Sequence, residues 1–107
     1  MSINESKVWI ENFYKQRKWS EYGPFERVTF LMEEVGEIAQ AVRAYEIGRD
    51  RPDEHAKTLQ ELEDDLREEC GDVLVNLIIL MDMYGFSLEE VLEGHREKLT
   101  HRFKNCT

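Results

Sequence analysis

Residues 25–43 read FERVTFLMEEVGEIAQAVR, and residues 68–84 read EECGDVLVNLIILMDMY. At about 100° per residue, Phe25, Val28, Leu31, Met32, Val35, Ile38, Ala39 and Val42 of the first stretch fall on one wide face, the signature of an amphipathic helix. A second stripe on that helix, Phe30, Glu34, Glu37 and Ala41, mixes an aromatic ring and an alanine with two carboxylates. Such a stripe reads as covered, not solvated. The segment around the second stretch repeats the theme. Leu59, Leu62, Leu66, Cys70, Val73, Leu77, Leu80 and Tyr84 form a seam on which Cys70 is expected to lie in the core. Beside it, Asp65, Glu69, Asp72, Asn76, Ile79 and Met83 form a mixed stripe, and residues 73–83 are apolar nearly all round, so this part must be buried.

Working outward, four helices are expected, at about 4–18, 24–47, 58–84 and 88–103. Pro24 suits a first helical turn, where its missing N–H is not needed. Thr58 is a candidate N-cap, Gly85 a C-terminal stop, and Ser87 with Glu90 a capping box. The polar run GRDRPDEHAK at 48–57 reads as an exposed loop. Residues 1–107 form a single all-α domain, a four-helix bundle. A chain of 107 residues buries only about two thirds of its unfolded surface, which is little for helices apolar on two sides. A homodimer or dimer of dimers would cover the remainder.

Fourteen Lys plus Arg against 23 Asp plus Glu give a formal charge of −9. That balance argues against a nucleic-acid polymer, whose phosphates demand a cationic footprint, and against a basic membrane-surface helix. Cys70 and Cys106 make no disulfide framework. With no run of 18 apolar residues and no cleavage-type leader, a cytoplasmic protein is expected. His55 and His101 read as surface residues.

Glu34 and Glu37 are three apart on one helix face, as are Glu69 and Asp72, so each pair can converge on one hard cation. Chance acids on solvated faces explain either pair alone. They do not readily explain both pairs on stripes flanked by apolar residues. Four covered carboxylates could not all stay ionised without a counter-charge, and Mg²⁺, with Mn²⁺ as a substitute, takes oxygen ligands and is completed by substrate phosphates.

Glu33-Glu34-Val35-Gly36-Glu37 within FERVTFLMEEVGEIAQAVR, followed by Glu68-Glu69-Cys70-Gly71-Asp72, resembles the EExxE and ExxD motifs of the MazG-like nucleotide pyrophosphohydrolases. These belong to the all-α NTP pyrophosphatase superfamily. The tail YGFSLEEVLEGHREKLTHRF is similar to the family's ending. The resemblance implies a MazG-like four-helix bundle working as an oligomer on a nucleoside triphosphate, releasing the monophosphate and pyrophosphate. It implies Glu34, Glu37, Glu69 and Asp72 as metal ligands, and Glu33 as the group that orients or deprotonates the attacking water. Lys98 and Arg102 would face the phosphates, and Asn76 would reach the sugar or a water at the site. Lys98 and Arg102 also share a helix face by spacing, with His95 one turn earlier, and supply a point charge and a planar fork. The same two residues would equally serve a solvated face paired with Glu93 or Glu97.

The chain departs from the family in its 31 residues between Glu37 and Glu69, in Arg96 where many relatives carry Asn, and in Leu99 where an aromatic is usual. Trp9, Phe13 and Trp19 could stack on a base, or serve as core or dimer contacts. Phosphoribosyl-ATP hydrolysis, a dUTPase-like activity and a non-catalytic helical adaptor are the alternatives. A ferritin-like di-iron site is excluded because no His has Glu three residues before it.

Overall fold

The computed structural model describes residues 1–48 and 51–104; Cys106 lies outside them. The described residues contain no strand. They form α1 (Ile3–Gln16), a 3₁₀ turn (Trp19–Glu21), α2 (Pro24–Ile47), α3 (Leu59–Met83) and α4 (Leu88–Arg102). No single helix among them is long and apolar enough to cross a membrane.

Local chemistry sets the ends. Ser2 accepts from the Glu5 backbone N–H at 3.1 Å and opens α1. Pro24 occupies the first turn of α2. Thr58 with Glu61, and Ser87 with Glu90, form reciprocal capping boxes that satisfy donors the first turns of α3 and α4 leave free. Gly85, at φ 73°, takes the left-handed conformation that ends α3. The first helix stops at Gln16, two residues short of the expected end. Lys18 turns left-handed at φ 64°, and Trp19 folds back so that its ring meets those of Phe13 and Tyr14 edge-on.

Within one chain the packed pair is α2 and α3, which α1 touches lightly on the α3 side. Arg27 meets Asn76, and Glu37 meets Glu69, so the two long helices run antiparallel. The facing surfaces are the mixed stripes: Asn76 and Ile79 of α3 are buried there, as is Arg27 of α2. Much of the broad apolar faces lies open. Phe25 is 88% exposed and Met32 60%, and Leu59 and Leu77 of the predicted seam are also exposed. Cys70 is exposed, contrary to the expectation of a core position, because α2 meets α3 through the adjacent stripe of Glu69 and Asp72.

The fourth helix leaves α3 at 96° and makes at most grazing contact with the other helices. None of its residues is buried. The accessible surface is 8754 Å², against about 6,200 Å² for a compact monomer of 12.7 kDa. The radius of gyration, 17.7 Å, likewise exceeds the ~13 Å of a compact chain of this length.

Thr58→Ala removes the acceptor for the Glu61 N–H and should lower stability by about 1 kcal/mol in urea unfolding. An unchanged midpoint would show that the cap contributes nothing.

Candidate metal centre

Glu34 and Glu37 sit one turn apart on α2, and Glu69 and Asp72 one turn apart on α3. The antiparallel pairing brings all four together. One carboxylate oxygen from each lies within 4.8 Å of the others. The longer link between the motifs does not disturb this, because its residues extend α2 to Ile47, form the connection, and build the first turns of α3.

The cluster is electrostatically unfinished. Glu34 Oε2 and Glu69 Oε2 are buried and have no hydrogen-bond partner. Burial, a hydrogen bond with Glu37 and the charges of Glu37, Asp72 and Glu69 push the Glu34 carboxyl from its ordinary 4.5 up to about 7. Burial, followed by the hydrogen bond and charge of Glu37, raises Glu69 as well. Among the described residues no Lys or Arg forms an ion pair with any of the four. A set of hard oxygen donors, two of them buried and unpaired, fits Mg²⁺ or Mn²⁺ far better than a soft metal.

Beside the cluster opens a cleft of about 270 Å³ lined by Tyr14, Trp19, Tyr22, Arg27, Phe30, Glu33, Glu34 and Asn76. Its floor is Arg27, only 4% exposed. The guanidinium donates to Asn76 Oδ1 at 3.0 Å and to the Trp19 carbonyl at 2.9 Å. It also lies 5.3 Å from the centre of the Tyr14 ring and 5.5 Å from that of Phe30. Burial raises the Tyr14 hydroxyl pKa; Arg27 opposes the shift, while Asp72 and Glu34 add to it. Tyr14 therefore stands, uncharged, where cleft and cluster meet.

The other sequence candidates fall in three places. Glu33 is exposed on the cleft wall, outside the four-acid cluster. Asn76 is buried, its oxygen taken by Arg27 and its Nδ2 donating to the Asp72 carbonyl at 2.9 Å. Lys98 and Arg102 are exposed on α4, which the single chain does not pack against the cluster. Sequence reasoning missed Arg27, Tyr14, Tyr22 and the wall they build. The available signal was an arginine seven residues before Glu34, on the same covered stripe as Phe30.

Because Glu34 binds its proton more tightly in the fold than in the unfolded chain, stability falls as pH rises from 4.5 to about 7. In chelator the melting temperature should therefore drop between about pH 5 and about pH 8. Millimolar Mg²⁺ or Mn²⁺ should flatten or reverse that slope. A flat profile in chelator would contradict the crowding described above.

The profile of the MazG nucleotide pyrophosphohydrolase domain matches residues 26–107. The uncharacterized protein YvdC of Bacillus subtilis (strain 168) is 57% identical over 106 residues, which cover 99% of this chain and all of that protein. The uncharacterized protein YpjD of the same organism is 30% identical over 102 residues, covering 95% of this chain and 83% of that one. No solved structure matches. With the acid pairs of both motifs joined in one cluster and the family's domain spanning α2 to α4, the chain belongs to the MazG nucleotide pyrophosphohydrolase family.

Proposed function

We propose that this protein is a divalent-cation-dependent nucleoside triphosphate pyrophosphohydrolase, converting a (d)NTP and water to the (d)NMP and pyrophosphate. Its role in the cell is then to limit non-canonical or excess nucleotides. The observation that carries it is the convergence of Glu34, Glu37, Glu69 and Asp72, two with buried unpaired oxygens, next to an aromatic cleft. An adaptor that merely solvated its acids would have no reason to cover the Oε2 atoms of Glu34 and Glu69.

A divalent cation at the cluster would supply charge neutralisation for the phosphate oxygens and acidify a nearby water. The residues do the rest. The four carboxylates hold the cation in the α2–α3 interface. Glu33, exposed beside them, accepts the proton of the attacking water on a carboxylate oxygen. The faces of Trp19, Tyr22 and Phe30 offer a slot for a planar base, as stacking platforms do elsewhere. Lys98 and Arg102 reach the phosphates only through assembly, since a single chain leaves their helix unpacked. A homodimer or dimer of dimers covers the open faces of α2 and α3 and closes the bundle. The excess surface of this chain is of the size that stable interfaces bury.

The deciding experiment incubates the protein with a panel of NTPs and dNTPs plus Mg²⁺ and identifies products. Pyrophosphate and a monophosphate are expected. Orthophosphate, or no turnover of any member, rejects the reading. Glu37→Gln and Asp72→Asn should each lower kcat by at least ~100-fold with helicity unchanged; full rate in either would remove the cation assignment. Sedimentation at micromolar concentration should give two or four times 12.7 kDa. A strictly monomeric profile would leave Lys98 and Arg102 without a role at the phosphates.

A further inference from the structure

Arg27 is the most deeply buried charged side chain among the described residues. Removing a guanidinium from water is costly unless a counter-charge meets it. Its hydrogen bonds, however, go to neutral acceptors, the Trp19 carbonyl and the Asn76 amide oxygen, and its Nε is covered with no acceptor at all. Tyr14 and Phe30 supply ring faces, which offset part of the cost. For stability alone, an apolar side chain of similar volume would serve as well or better. What an apolar residue could not do is hold three elements in one geometry.

Those elements are the 3₁₀ turn through Trp19, α2 through Arg27 itself, and α3 through Asn76. The chain of contacts runs one step further. Asn76 Nδ2 donates to the carbonyl of Asp72, the last acid of the cluster. A carbonyl that already serves the helix ladder thus receives a second donor, an arrangement that tilts the peptide it belongs to. The backbone carrying one cation ligand and the backbone carrying the cleft's tryptophan are therefore joined through a single planar fork.

We propose that Arg27 is a positioning residue that couples the cleft wall to the acidic cluster, so that the setting of Trp19 responds to a cation at Asp72 and base binding depends on that setting. The second half rests on the nucleotide reading above; the first does not. Lysine cannot replace it, because one ammonium lacks the rigid fork that spans Trp19 and Asn76. Coupling of this kind is reciprocal, so a planar ligand in the cleft should tighten cation binding by the same factor that the cation tightens the ligand.

The chain has two tryptophans, so Trp9→Phe leaves Trp19 as the sole reporter. Mg²⁺ alone should shift Trp19 emission in that background. Arg27→Met and Arg27→Lys should abolish the shift while keeping the Mg²⁺-dependent rise in melting temperature. Loss of the rise together with the shift would reduce Arg27 to a packing residue, and a retained shift would refute the coupling outright. For turnover, both variants should raise KM about tenfold, the loss of one or two hydrogen bonds, with kcat within about threefold and discrimination among bases narrowed. An unchanged KM would overturn the cleft half of the proposal. Should Arg27→Met fail to fold, Asn76→Ala cuts the same link from α3 and must show the same loss of shift, or the proposal falls. If wild type hydrolyses no nucleotide, the hydrolytic reading fails while the Mg²⁺ titration of Trp19 still decides the coupling.

Discussion

Mutual repulsion among Glu34, Glu37, Glu69 and Asp72 is the constraint around which this molecule is organised. Four carboxylates with oxygens within 4.8 Å of one another would drive two helices apart if nothing opposed them. What opposes them inside the chain lies on one side of the cluster, toward the start of α2 and the end of α3. Ile78 and Ile79 supply buried apolar contact on α3, and Arg27 with Asn76 supplies a directional tie between α2 and α3. The fold therefore holds its acids close at a cost in free energy, seen in the raised proton affinity of Glu34 and Glu69. A cation there would convert that cost into binding free energy, and on the proposed function it would let a protein of formal charge −9 attract a triphosphate.

The sequence made the helices and the acid pairs legible because both are local. Pro24, Thr58, Ser87 and Gly85 carry their own capping or turn chemistry, and spacing of three puts Glu34 beside Glu37 whatever the helix packs against. Sidedness was harder. Hydrophobic periodicity says which face needs cover, not which neighbour supplies it. The wide face of Val28, Met32 and Val35 and the seam that includes Leu77 and Cys70 read as the core, yet the chain itself joins its mixed stripes and leaves those faces open. The same limit hid the placement of α4, since periodicity does not state what a helix will pack against. Arg27 escaped notice because a charge between apolar residues reads as surface until its acceptors are known, and those lie eight and 49 residues away.

Separation of labour between the two kinds of surface follows. The acids occupy the interface within a chain, whereas much of the broad apolar faces and α4, which carries Lys98 and Arg102, lie outside it. On the proposed assembly and cation site, substitutions on Val28, Val35 or Val42 would act on assembly without touching the acidic cluster, and those on Glu37 or Asp72 would do the reverse.

The left-handed turn at Lys18 has a further consequence. It costs a non-glycine residue about 1 kcal/mol at the joint between α1 and the cleft, and α1 itself rests only lightly on α3. The wall made by Tyr14, Trp19 and Tyr22 is tied to the α2–α3 pair chiefly through Arg27. It also precedes residue 26, where the family's domain begins. On the proposed function, that stretch would set part of what enters the cleft, and changes in it would alter selectivity while leaving the acidic cluster of α2 and α3 as it is.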